Sequence, residues 1–292
     1  MDLEEIFGQQ KLEQRKNVLV FGGNRFVGKA LIEKLLDQGY NVDMFNRSGT
    51  GPDYVMETCE ANIIQGDRNN SEDIDKIDFD AYGCIVDMCL FFESQFDLIE
   101  DRINDDTNYI FVSSGAASDK YSEHYGDYGK DKRKVEERLK KSKLNYKIVR
   151  PSYIVGEGNH RPRLGHYMNK IINGEHVEIA GDGKNMVNVV FVQDVVNQLI
   201  RLATTQAKTY EMIEVVGDNI EVIDLVYKVY KYVLDDAYQG DVMLVQNDEK
   251  AILPKNDFTF ETNWDYTKLD EGLKDYAKWY YNEGAKKYGY II

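Results

Sequence analysis

The stretch NVLVFGGNRFVGKALIEKLLDQGYNVDMFNR, residues 17–47, decides the fold through its punctuation. A short apolar run, 17–21, is followed by Gly22, Gly23 and Gly28, then by the amphipathic run KALIEKLLDQ, Gly39 and a second apolar run. That order predicts a buried strand, a tight turn, a helix and a second strand. Glycines at such a turn let backbone N–H groups at the helix start approach a diphosphate, whose charge the helix dipole favours. The spacing is not GxGxxG, and the fourth turn residue is Arg25.

The rhythm continues outward. ANIIQGD (61–67), AYGCIVDM (81–88), NYIFVSSG (108–115) and NYKIVRPS (145–152) read as further strands, with helix-like segments at 28–39, 91–104 and 128–142. Strands alternating with helices predict an α/β, doubly wound parallel sheet covered on both faces. After Pro151 glycines at 156, 158, 165, 174, 181 and 183 break the rhythm, which predicts a smaller second lobe over 156–292. Residues 1–15 read as an N-terminal extension, an amphipathic helix with Leu3, Ile6 and Phe7 inward.

With 292 residues and 42% hydrophobic content, the chain can bury a substantial core. No apolar run reaches the roughly 20 residues of a membrane span, and the acidic start lacks a secretion signal, so a cytoplasmic location is expected. The net charge of −15 argues against nucleic acid, which needs concentrated Lys and Arg. The one basic cluster, 130–143, carries interleaved glutamates and reads as a solvated helix face. Cys59, Cys84 and Cys89 form no CxxC pair and are expected as reduced thiols, Cys89 as a core thiol rather than a nucleophile. His124, His160, His166 and His176 lack ligand spacing, and no metal is expected.

Tyr128 and Lys132 stand at i and i+4, one face of a helix. A tyrosine with its ordinary pKa of about 10 is a poor base at neutral pH, but a neighbouring ammonium favours its phenolate. Such a pair suits proton transfer coupled to hydride transfer. Tyr125 has no such partner, because residue 129 is glycine.

These motifs, in this order, resemble the extended and atypical short-chain dehydrogenases/reductases, the NAD-dependent epimerase/dehydratase family, in its branch related to chloroplast stem-loop-binding proteins. The family turn reads GxxGxxG; here it is Gly22-Gly23-Asn24-Arg25-Phe26-Val27-Gly28, with Arg25 in place of the middle glycine. The resemblance implies a Rossmann-like dinucleotide-binding domain over 16–155, with 187–205 returning to it, and a C-terminal substrate-binding lobe. It implies Ser114, Tyr128 and Lys132 as catalytic residues, with Ser113, the other serine of the family's SS pair, the second candidate for the catalytic hydroxyl and beside the cofactor. Asp67 of QGDRNN would meet the adenine with Arg68 beside it, Met88 would contact the cofactor, and the segment Pro151, Tyr153 and Val155 would run beside the nicotinamide. Asp87 stands where epimerases have HxAA, either as a structural residue or as a ribose contact. An NAD site usually ends its second strand in an acid; here the strand ends Asn46-Arg47. Arg25 and Arg47 could pair with a 2′-phosphate, which favours NADP over NAD.

Arg163, His166 and Tyr167 either line a substrate pocket or pack between lobes. The expected partner is a small-molecule substrate, with hydride transfer on a small carbonyl or alcohol as one outcome and nucleotide-sugar epimerisation or dehydration on tightly bound NAD as the other. A reading of another class is a cofactor-regulated RNA-binding protein. Relatives also imply a homodimer built on 91–104 and 128–142.

Overall fold

The computed structural model describes residues 16–49, 61–123, 125–161, 163–205, 210–234, 242–245, 252–254 and 256–288. The expected helix with Leu3, Ile6 and Phe7, and the residues Cys59 and His124, lie outside them.

Val18 to Phe21 have no exposed surface, so β1 (Asn17–Phe21) is covered on both faces, as its unbroken apolar run requires. It pairs parallel with β2 (Asn41–Asn46) on one side and β4 (Cys84–Asp87) on the other. β3 (Asn62–Gln65) extends β2, while β5 (Asn108–Val112) and β6 (Asn145–Pro151) extend β4, all in parallel. With β10 (Glu211–Val215) beside β6, the order is β10-β6-β5-β4-β1-β2-β3. The chain runs outward from β1 to β3 and then returns to β4 across β1. The carboxyl ends of β1 and β4 therefore border the crevice where strand order reverses, the place where doubly wound sheets bind ligands.

α1 (Phe26–Asp37) buries Gly28, Leu31, Ile32 and Leu35, one stripe at helical spacing. Each buried aliphatic side chain there contributes about 1.5–3 kcal/mol. After β3 comes the short α2 (Ser71–Ile74), capped by Asn70. The expected helix over 91–104 is a correction: the segment forms α3 (Glu93–Asp97) and a separate 3-10 turn, Glu100–Arg102. Its hydrogen bonds run i to i+3, Ile99 N to Phe96 O and Arg102 N to Ile99 O. That tighter turn lets Phe96, Ile99 and Ile103 all reach the core.

α4 (Gly126–Lys140) corrects a second expectation. Its buried face holds Lys132 and Glu136 as well as Val135 and Leu139, so part of the basic cluster lies inside the protein.

The described contacts divide the chain into two compact units: residues up to Pro151 with Val196–Glu214, and Ser152–Val195 with the residues from Val215 on. The second unit holds β7 (Tyr153–Val155), β9 (Met186–Phe191) and β11 (Asp218–Glu221), ordered β11-β9-β7, and the parallel pair β8 (Val177–Ala180) and β12 (Val242–Val245). Because β7 and β9 pair with each other, the divide falls before residue 153 rather than after 155, and the return begins near 196 rather than 187. α5 (Leu164–Ile172), α7 (Val222–Leu234) and α8 (Leu269–Trp279) supply Met168, Leu225 and Leu273 to this unit's core. α6 (Val192–Thr204) follows β9, and α9 (Ala285–Tyr288) closes the described chain after a π turn at Tyr280–Gly284.

Candidate active site

The glycine turn follows β1 directly. Gly22 adopts φ +89, and a Cβ on Gly28 would stand 2.5 Å from Gly22 O and 2.8 Å from Gly23 Cα, so α1 packs against the turn only because residue 28 has no side chain. Phe26 takes φ 48, a left-handed conformation that costs a non-glycine residue about 1 kcal/mol or more. Arg25 precedes it as an extended, exposed N-cap residue that makes no side-chain cap, and the first turn of α1 carries no acid. The residues present fit a dinucleotide: among the described residues the first turn of α1 holds no carboxylate and its N-cap side chain no capping oxygen, at the helix start where a diphosphate would lie.

At the end of β2, Asn46 Oδ1 accepts from Ser48 Oγ (2.9 Å) and Gly49 N (2.8 Å), and Asn24 Nδ2 donates to Ser48 Oγ (3.0 Å). This ties the glycine turn to the second strand. Arg47 is exposed beside it. Asp43, the acid within β2, accepts from the Tyr82 hydroxyl.

Asp67, at the end of β3, accepts from Asn69 N (2.9 Å) and Nδ2 (2.7 Å). Those bonds, with a smaller contribution from Arg47, hold its carboxyl below the usual range. Asn69 Oδ1 in turn accepts from Gln95 Nε2 (2.9 Å), and Gln95 Oε1 accepts from Phe91 N (2.8 Å) and Phe92 N (3.3 Å). A relay of amides thus joins the end of β3 to the loop after β4.

Arg68 and Asp87, both expected near the cofactor, are partners of each other. Asp87 accepts from Arg68 Nη1 (2.7 Å) and Nη2 (2.9 Å), from Tyr109 Oη (2.9 Å) and from Cys89 N (3.2 Å). Both residues are buried and Asp87 has no exposed surface, so the geometry gives it the structural one of its two open readings. The Cys89 thiol accepts from Arg68 Nη1 at 3.3 Å and is pushed up by burial and by Asp87, which suits a packing thiol. Met88 N donates to Phe21 O at 3.1 Å, holding the end of β4 level with the glycine turn.

Ser113 and Ser114 follow β5 and face different partners. Ser113 Oγ donates to Glu136 Oε1 at 2.5 Å, and the same carboxylate takes a bidentate pair from Arg150, Nε at 2.9 Å and Nη2 at 2.5 Å. Glu136 has no exposed surface. Ser114 Oγ accepts from Ala116 N at 3.2 Å, capping the 3-10 turn Gly115–Ala117, and is half-buried. Lys132 Nζ donates to Val112 O, the last carbonyl of β5, at 3.0 Å. Burial pulls its pKa down to about 8, with Asp87 the strongest of the charges pushing back. One turn earlier, Tyr128 is 47% exposed, and its ring centroid lies 6.4 Å from that of Phe91. The structure thus brings Ser113, Ser114 and Lys132 to one strand end, with Tyr128 on the adjoining helical turn.

In the second unit, Val155 has no exposed surface and packs in the core, while Tyr153 Oη donates to Ile252 O at 3.2 Å. Pro151 is buried at the end of β6 in the first unit. Arg163 donates to Ile154 O (3.2 Å), its guanidinium 4.4 Å from the Tyr153 ring centroid. His166 is buried, and burial lowers its pKa. Tyr167 borders a cavity of about 330 Å³ with Ile179, Asp182, Asn185, Leu253 and Asn256. Of the three expected substrate residues, only Tyr167 lines it.

Sequence reasoning missed Arg150, Tyr109, Gln95 and Phe91. Arg150 left a signal: a glutamate four residues beyond Lys132 on a buried face requires a cation, and IVRPS supplies one on the neighbouring strand. Among the described residues no three potential metal ligands cluster, and no helix is long and apolar enough to cross a membrane.

The model of the NAD dependent epimerase/dehydratase family matches residues 18–88 and 108–216, which span the first sheet from the second residue of β1 to the end of β10. The chloroplast stem-loop binding protein of 41 kDa b of Arabidopsis thaliana is 20% identical over 235 residues, 72% of this chain. The match spans 61% of that relative's length, less than two thirds of it. A UDP-glucose 4-epimerase of Thermotoga maritima, solved with UDP-glucose, superposes with a TM-score of 0.72 at 18% identity over 91% of this chain and 99% of its own. A dTDP-glucose 4,6-dehydratase of Bacillus anthracis, solved with NAD, gives a TM-score of 0.72 at 16% identity over 94% and 98%. At these identities the likeness is one of fold.

Proposed function

This chain belongs to the NAD dependent epimerase/dehydratase family, and from that premise we propose that it binds NADP or NAD at the glycine turn and transfers hydride to or from a small carbonyl or alcohol substrate. The observation that carries this reading is the Lys132 ammonium, anchored on Val112 O one helical turn from the exposed Tyr128. The bound cofactor supplies a nicotinamide ring that accepts or donates the hydride. Tyr128 takes the proton from the alcohol or returns it to the carbonyl, and Lys132 favours its phenolate. Ser114 Oγ already accepts from Ala116 N, so its own proton is left to hold the substrate oxygen. Ser113 Oγ is engaged with Glu136 and fixes the strand end instead.

The end of β2 favours NADP. Asp43 is engaged with Tyr82, Asn46 caps its own turn, and Arg25 and Arg47 are exposed, so a 2′-phosphate would meet guanidinium rather than carboxylate. Titration of the purified protein by nucleotide fluorescence tests this: NADPH should bind more tightly than NADH, and Arg47→Asp should weaken NADPH by about tenfold, the loss of one exposed charged contact. No binding of either nucleotide would end the reading.

A second reading, nucleotide-sugar epimerisation or dehydration, is favoured by the superposition on the UDP-glucose-bound structure over 91% of this chain. It requires a nucleotide that co-purifies with the protein and returns unchanged after turnover, whereas a reductase consumes NADPH with the carbonyl. An RNA role, which the stem-loop-binding relative's name raises, is opposed by the net charge of −15.

A further inference from the structure

The YxxxK spacing explains why Lys132 is where it is, but not how a 2% exposed ammonium is tolerated there. Among the described residues its Nζ makes one hydrogen bond, to Val112 O, and no carboxylate forms an ion pair with it. Removing a charge from water is costly unless something replaces the lost hydration. Two ring faces do: the Phe91 centroid lies 4.7 Å from Nζ and the Phe111 centroid 4.9 Å from it.

The two rings differ in what else they do. Phe111 is a fully buried β5 residue. Phe91 is 39% exposed, pairs with the Tyr128 ring, and has its backbone N–H held by Gln95 Oε1. It is the side chain that touches both members of the expected acid/base pair. The charged and titratable groups around the ammonium are Asp87 at the end of β4, Cys89 in the following loop, Arg68 beyond β3 and Glu136 on the lysine's own helix. Each of the first three is committed elsewhere, in the bonds that join Arg68, Asp87 and Cys89.

We propose that Phe91 is a positioning residue whose ring face keeps the Lys132 ammonium charged while excluding water from it. This rests on the reading of Tyr128 and Lys132 as the proton-transfer pair. A side chain that only filled space would serve as well without a π face, and that difference is measurable. In cofactor-free protein labelled with ¹³Cε-lysine, the Lys132 resonance is identified by its loss in Lys132→Met and then followed against pH. Phe91→Leu, which retains the cover and removes the π face, should lower the Lys132 midpoint by about one pH unit, the size of a desolvated cation–π contact. Phe91→Met should do the same and guards against a folding defect peculiar to leucine. Phe91→Tyr should restore the wild-type midpoint.

A midpoint that stays put or rises in Phe91→Leu and Phe91→Met overturns the proposal. The titration needs neither cofactor nor substrate. A protein that turned over nothing would therefore defeat the proposed function while leaving this measurement able to stand or fall alone.

Discussion

Among the described residues two lysines lie inside the first unit, and they live in opposite surroundings. Lys147, on β6, has no exposed surface and donates to Asn108 Oδ1 (2.7 Å) and Asn145 Oδ1 (3.4 Å), while Asn108 Nδ2 is fixed on Leu202 O (2.8 Å). Lys132 has a carbonyl, two ring faces and an exposed phenol one turn away. Burial lowers the pKa of both. The difference teaches that a buried charge is not in itself a functional signal. Lys147 is surrounded by fixed amide acceptors, whereas Lys132 stands one helical turn from an exposed phenol, the surroundings that the proposed proton transfer needs.

The strongest way to break that comparison is to remove each ammonium in turn. Lys132→Met should lower turnover by about 10²–10⁴-fold, the usual worth of a supported acid/base group, with nucleotide binding still detectable. Lys147→Met should leave turnover within about twofold of wild type and change stability by about 1 kcal/mol or less, since methionine fills the same volume without a charge to desolvate. Steady-state kinetics and urea unfolding of both variants decide it; equal kinetic losses would erase the distinction.

A buried carboxylate sharpens it. Glu136 has what neither lysine has, a bidentate partner of opposite charge in Arg150. Arg150→Met strands that carboxylate beside Ser113 and should cost about 3–5 kcal/mol in the denaturation midpoint. Adding Glu136→Gln to the same chain should recover part of the loss, a coupling that a double-mutant cycle measures directly. Additive losses would show that the pair does not act as one unit.

The comparison also extends to the pH dependence of stability. Lys132 has a folded-state pKa of about 8 against an unfolded value near 10.4, so between them the unfolded chain binds more protons and stability rises with pH. Below pH 8 the full cost of the buried ammonium is present. In urea midpoints taken from pH 7 to 10, wild type should climb and Lys132→Met should climb less. Lys147→Met should also flatten the curve, since burial lowers that lysine too. Identical slopes in all three proteins would remove the lysines from the account.

The sheet was legible because covered parallel strands write themselves as apolar runs. All six runs from NVLVF to NYKIV are strands, and the glycine turn follows the first. Segments whose environment is set by distant residues were not legible. In KDKRKVEERLKK the charges suit a solvated helix, and only the placement of Arg150 and Val112 shows why Glu136 and Lys132 lie inside. The stretch 91–104 has helical apolar spacing, yet the sheet core draws in Phe96, Ile99 and Ile103 and the helix breaks between the first and the last of them. Asp87 stayed open between a structural residue and a ribose contact because its partner Arg68 is 19 residues away in sequence, though 2.7 Å away in space.

The amide relay from Asp67 through Asn69 and Gln95 to Phe91 links two chain segments, 67–69 and 91–95. It makes the two loops that flank the crevice a single strap, buckled by one glutamine. Shortening the loop after β3, or exchanging Asn69 for an aliphatic residue, would undo that buckle and slacken an aromatic side chain 22 positions further along the chain, with no atom of Tyr128 or Lys132 itself replaced.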